Sequence, residues 1–276
     1  MAPTITRQHR GVMNATSTLD PVATTSRVTA AMRAAESDRP DRLFSDPFAA
    51  ALAGDAGRAI AARMATAGDT IAVRTRFVDD RVREAGIAQL VLPAAGMDTR
   101  AWRLDLPSGT TVYELDRPEL LALKAHLLDG AATRAERVPV GADLTTDWSA
   151  ALHAAGHDPS RPTCWVIEGL LQYLPETAVL GLLDAVTARS APGSHLLLDV
   201  VGASLLRDPG AQPLLGAMEA LGSPWLFATD DPAAMLDSRG WTSEVRGFTA
   251  VSAELGRAPG IDDGPDERGF LVHATV

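Results

Sequence analysis

Cysteine and lysine are almost missing from this 276-residue chain. The one cysteine, Cys164, has no partner for a disulfide within the chain, and a cysteine-rich zinc site is excluded. A single thiol fits a reducing, cytoplasmic setting. The one lysine is Lys124; every other basic residue is an arginine, and none cluster. With a net charge of −10 there is no basic face for a nucleic acid to use. No apolar run reaches the length of a membrane span. No apolar signal core follows the opening MAPTITRQHR, so no secretion signal is expected. Neither a Ser-His-Asp order nor a metal-ligand spacing stands out, and no metal is expected. Neither a nucleic acid nor a membrane is therefore expected as a partner.

What is present is a chain with 46% apolar residues, enough for one large α/β domain or two small ones. Residues 1–25 are polar and small, and read as loose. Helical stretches are expected over 27–36, over 45–54 and, in two pieces broken near AGDT, over 57–85. In SDPFAAALAG, Ser45 or Asp46 is the expected N-cap, Pro47 lies in the first turn and Gly54 is the stop. Beyond residue 85 the texture changes. Strand-like runs recur at 88–94, 110–116, 137–143, 163–169, 194–201, 242–248 and 269–276. Helical segments separate the first five, which implies βαβ units and a mostly parallel sheet. The last two, joined by the Gly/Pro-rich LGRAPGIDDGPD, read as an antiparallel pair at one edge. The expected division is a helical N-terminal cap over 1–85 and an α/β core over 86–276. The segment 202–227, GASLLRDPGAQPLLGAMEALGSPWLF, fits a lid over an apolar acceptor or a packed helix pair equally well.

The stretch LVLPAAGMDTRAWRL (90–104) carries the first functional signal. A buried strand gives way to Ala94, Ala95 and Gly96, small enough for a ligand to approach the backbone. In open α/β sheets ligands sit outside the carboxyl ends of the strands. Acids recur there: Asp98 after strand one, Glu114 and Asp116 on strand two, Asp143 after strand three, Glu168 after strand four. Like charges gathered at one rim repel, so a cation or hydrogen-bond donors should occupy it. Asp116 stands 20 residues after Gly96, where dinucleotide folds place the acid that accepts from ribose hydroxyls. Asp143 and the amide after it could bracket an adenine edge. The full G-x-G-x-x-G is missing, and Asp98 would repel a phosphate. A nucleoside without phosphates is therefore expected, and S-adenosylmethionine fits.

AGMDTRAWRL, YELDRPELLALK, GADL followed by DW, and EGLLQYLP resemble, in order and spacing, the leucine carboxyl methyltransferase family. The resemblance is strongest to its bacterial branch of small-molecule O-methyltransferases. RPDRLFSDPFAA and RTRFVDD match the helical N-terminal part of that branch. It covers roughly residues 27–201. It implies a class I methyltransferase fold, Rossmann-like, with a seven-stranded, mostly parallel sheet, helices on both faces and a helical N-terminal cap. It also implies cofactor residues. Arg74 matches an arginine for the methionine carboxylate, Ala94–Gly96 the glycine-rich turn, and Asp116 the ribose acid. Asp143 and Leu144 match the adenine pair, and Glu168 the acid beneath the methionine amine. Tyr173 falls where the family places an aromatic near the substrate. Ala94 departs from the family, which often has glycine there.

The expected activity is therefore S-adenosylmethionine-dependent methyl transfer to a small molecule, most readily at a carboxylate or hydroxyl oxygen, in secondary metabolism. A carbon- or nitrogen-methyltransferase on the same scaffold is the alternative. A nicotinamide-dependent dehydrogenase and a non-enzymatic binding module follow behind. Other residues have plainer readings. Trp102, Trp148 and Trp165 are expected in the core, and Arg100 and Arg103 in pairs with acids such as Asp98 or Asp105. His126, His153 and His157 are expected in solvent, and His195 and His273 in structural roles within strands.

Overall fold

The protein is described here by a computed structural model covering residues 21–146, 148–257 and 268–276. The readings made above of residues 1–20, of Asp147 and of most of the 255–266 link lie outside the described residues. The strands are β1 (Gln89–Pro93), β2 (Thr111–Asp116), β3 (Glu136–Gly141), β4 (Cys164–Ile167), β5 (His195–Val201), β6 (Thr242–Gly247) and β7 (Gly269–Thr275). They form one sheet in the order β3-β2-β1-β4-β5-β7-β6. β1 to β5 are parallel, and β7 is antiparallel to both β5 and β6. The last strand therefore slots between its predecessor and the parallel set, rather than closing the edge as the sequence order suggests. The strand order reverses between β1 and β4, which opens a crevice at their carboxyl ends.

Side-chain alternation explains why this sheet is covered on both faces. Leu90, Leu92, Cys164, Val166 and Leu197 pack into one core layer. Their neighbours Val91, Trp165, Ile167, Leu196 and Leu198 pack into the other. Each central strand thus reads as a continuous apolar run because both of its faces are buried. The tryptophans expected in the core are there, each no more than 4% exposed.

The first layer is built with the N-terminal helices α1 (Pro21–Ser37), α2 (Ala49–Ala61) and α3 (Gly68–Ala85). Gly54, expected as a stop, instead kinks α2 at φ 60°, a left-handed value that suits glycine, and the helix runs on. Asp46 does not cap α2. It is buried, accepts from Arg33 Nε at 2.9 Å and from Thr99 Oγ1 at 2.8 Å, and so ties the N-terminal helices to the turn beyond β1. The remaining helices are α4 (Arg100–Arg103), α5 (Pro118–Leu127), α6 (Trp148–Ala154), α7 (Glu176–Thr187), α8 (Ala203–Arg207), α9 (Gln212–Ala220), α10 (Pro232–Asp237) and α11 (Phe248–Glu254). None is long and apolar enough to cross a membrane.

Candidate active site

A cavity of about 1060 Å³ lies across the carboxyl ends of β1, β2, β4 and β5, beneath α1, α3 and the segment around α9. Arg74, Ala94, Gly96, Asp116, Asp143, Leu144, Glu168 and Tyr173 all line it.

The turn after β1 is held by backbone bonds. Ala94 has φ 55°, and among the described residues it is the non-glycine residue in the left-handed region. That is the position where the family often has glycine, so this chain carries local strain there. Ala95 N–H donates to the Leu115 carbonyl at 3.0 Å. Gly96, at φ 47°, donates its N–H to Asp116 Oδ2 at 2.7 Å. A Cβ on Gly96 would meet Ser26 of α1 at 3.0 Å, so the turn makes a tight cradle. Asp116 Oδ1 accepts from Arg117 N–H at 2.8 Å. Two backbone amides thus fix this carboxylate at the end of β2, and lone pairs remain on both oxygens for a diol.

Asp143 is exposed, and its Oδ1 accepts from Thr145 N–H at 2.8 Å and Thr145 Oγ1 at 2.7 Å. Those bonds lower its pKa and hold the loop that presents Leu144 to the cavity.

At the β4 end, Glu168 is clamped between two arginines. Oε1 accepts from Arg74 Nε at 2.9 Å, and Oε2 lies 2.8 Å from Arg100 Nη2, ion-paired but outside hydrogen-bond alignment. Burial pushes its pKa up, but Arg100 and Arg74 outweigh that and bring it down to about 2. Arg74 Nη1 also donates to Asp199 Oδ2 at 2.9 Å, and Asp199 Oδ1 accepts from Gly169 N–H at 2.6 Å. Nε and Nη1 of Arg74 are thus committed to Glu168 and Asp199. Arg100 continues to Asp79 and Asp98, and Asp79 to Arg103. A buried chain of ion pairs thereby joins α3, α4, β4 and β5.

Three sequence readings change. Glu114 is not at the rim: it is fully buried inside β2, paired with Lys124 Nζ at 2.8 Å and Arg137 Nη2 at 2.7 Å. Asp98 is neutralised by Arg100, so the case against phosphates rests on the missing glycines and on the single-turn length of α4. His157 is buried, with Nε2 3.0 Å from Thr163 Oγ1, instead of solvated. Asp199 was missed. Its signal was an acid inside the apolar run LLLDVV, which only a paired charge explains.

Tyr173 sits in the turn after β4, where burial raises its pKa. The Trp225 indole stands beside its hydroxyl without an aligned bond, and counters that rise in part.

The sequence profile of the leucine carboxyl methyltransferase family matches residues 26–187. The chain belongs to that family. It is an S-adenosylmethionine-dependent methyltransferase by membership. A Streptomyces avermitilis protein named as a candidate S-adenosyl-L-methionine-dependent methyltransferase is 38% identical over 264 residues, which is 89% of this chain and 92% of the relative. A Mycobacterium avium protein of the same description is 41% identical over 287 residues, covering 92% and 91%. The fold is shared with a candidate methyltransferase from Thermobifida fusca, with TM-score 0.60 at 20% identity over 91% of this chain and 93% of that one. A DUF574 family protein from Streptomyces avermitilis has TM-score 0.63 at 14% identity, covering 92% and 99%.

The residues present fit the methyltransferase cofactor. At Gly96 a Cβ would press on Ser26 at 3.0 Å, and its φ of 47° suits glycine. The polar groups offered are mainly carboxylates, which accept from a diol and an ammonium, and Glu168 keeps a buried oxygen without a hydrogen bond.

Proposed function

We propose that this family member transfers a methyl group to an oxygen of a small apolar molecule, most directly a carboxylate, in secondary metabolism. Asp116 holds the ribose diol, the Ala94–Gly96 turn lets the cofactor close on the backbone, and Asp143 with Leu144 brackets adenine. Glu168 faces the methionine amine, and Arg74, which lines the same cavity, takes its carboxylate. The bound cofactor supplies a methyl carbon already activated by its sulfonium. The chain's share is to hold that carbon and the acceptor oxygen close and in line, which can account for much of the rate.

The observation that favours a carboxylate is the lining itself. Among the described residues around the cavity there is no histidine and no lysine. Glu168 is held ionised and doubly paired, and burial moves Tyr173 away from ionisation. An acceptor that is already anionic near neutral pH needs no general base. Tyr173 lies on the acceptor side and orients the incoming oxygen. We place the protein in the cytoplasm, since a chain with one cysteine carries no internal disulfide.

A methyl-transfer screen over carboxylic acids and phenols, read by mass spectrometry, tests this. Methyl esters should form, with a rate nearly flat from about pH 6 to 9. Products methylated only at carbon or nitrogen would refute it, and products methylated only at phenolic oxygen would overturn the preference for a carboxylate.

A further inference from the structure

The cavity is larger than the cofactor needs. A ligand of that size occupies roughly 400–500 Å³, the lower half of the range for such sites, against about 1060 Å³ here. The cavity's lining also includes Ile60, Met64 and Ile71, together with α9 and its end. On α9, Leu214, Ala217, Met218 and Leu221 all line the cavity, at the i, i+3, i+4, i+7 spacing of one helical face. An amphipathic helix normally seats that face on the core. Here Met218 alone of the four is buried, while Ala217 is exposed and Leu214 and Leu221 stay half-buried, and the stripe borders the same cavity as the cofactor residues.

We propose that the acceptor has an extended apolar body, comparable in size to the cofactor, that packs along the α9 stripe, and that Leu214 and Ala217 set its length. The inference rests on the methyltransferase reading of the site and adds the chemical class of the acceptor: an apolar carboxylic acid well beyond the size of an amino acid. Met64 and Met218 suit such a body, since unbranched thioether side chains adapt to irregular apolar shapes.

The probe is a homologous series of straight-chain carboxylates, butanoate to dodecanoate, titrated by calorimetry with and without saturating S-adenosylhomocysteine. Affinity should rise about two- to fourfold per added methylene, and dodecanoate should still lie on the rising part. Leu214→Trp fills the lobe and should weaken dodecanoate at least tenfold, leave butanoate unchanged and keep S-adenosylhomocysteine affinity within twofold. Ala217→Trp, at an exposed position, should do the same if Leu214→Trp fails to fold. A flat series with the wild-type protein overturns the proposal. So does undiminished dodecanoate binding in a folded variant. A protein that binds the series in this way but not S-adenosylhomocysteine would refute the cofactor assignment and leave the apolar lobe standing.

Discussion

Glu168→Gln keeps the shape of the side chain and removes the charge that Arg74 and Arg100 share. The amide oxygen still accepts from Arg74, so what goes is the charge assistance of one hydrogen bond and one ion pair. That is worth about 2 kcal/mol in total. The loss falls short of the cost of orphaning a buried charge, because Asp199 still holds Arg74 while Asp79 and Asp98 still hold Arg100. For a chain of this size, roughly 2–4 °C of melting temperature per kcal/mol gives a drop of about 4–8 °C. The cofactor amine loses its counter-charge as well. Affinity for S-adenosylmethionine and S-adenosylhomocysteine should fall about tenfold or more, measured by calorimetry at a temperature where the variant is folded. The carboxyl is held at about 2, below its ordinary value. Its contribution is present above the unfolded pKa and is lost as pH falls from about 4.5 towards 2. The acid limb of the wild-type stability curve should therefore be shallower in the variant. Unchanged melting temperature and cofactor affinity would refute the clamp. Normal cofactor binding with no methyl transfer would move Glu168 to the acceptor side.

The parts of this fold that could be read in advance are those set by short-range periodicity. Apolar runs over 88–94 and 163–169 mark β1 and β4 within a residue or two, since strands covered on both faces leave no polar position. The strand-end acids follow from the same runs. Depth within a strand is harder to see. Glu114 and Asp116 share a face two residues apart, yet one is a buried partner of Lys124 and the other borders the cavity. Lys124 of α5 and Arg137 of β3, which close over Glu114, decide between them. Arg74 likewise looks like a surface charge on a helix until α3 docks against β4 and β5, which brings Glu168 and Asp199 to it from 94 and 125 residues away. For 202–227 the sequence offers a lid and a packed helix pair equally, because apolar residues broken by Gly and Pro do not say what they face.

Asp116→Ala strips the acceptor from the Gly96 and Arg117 amides as well as the ribose. S-adenosylmethionine affinity should fall tenfold or more in a folded protein, by titration calorimetry. Ala94→Gly relieves a left-handed alanine and should raise stability by about 0.5–1 kcal/mol, seen as a higher denaturation midpoint with unchanged slope; a fall would mean that the methyl group packs usefully. His157, held neutral to about pH 4 by burial, charges only in the unfolded chain between there and its ordinary value. Stability should drop by roughly 3 kcal/mol as pH falls from about 6.5 to 4, and His157→Gln should remove that dependence.

The most direct test titrates the wild-type protein and Asp116→Ala with S-adenosylmethionine and NAD in parallel. One molecule of S-adenosylmethionine should bind per chain, NAD should not bind, and the variant should lose at least tenfold in affinity. NAD binding in preference to S-adenosylmethionine, or equal S-adenosylmethionine affinity in the two proteins, would contradict the assignment of the strand-end site.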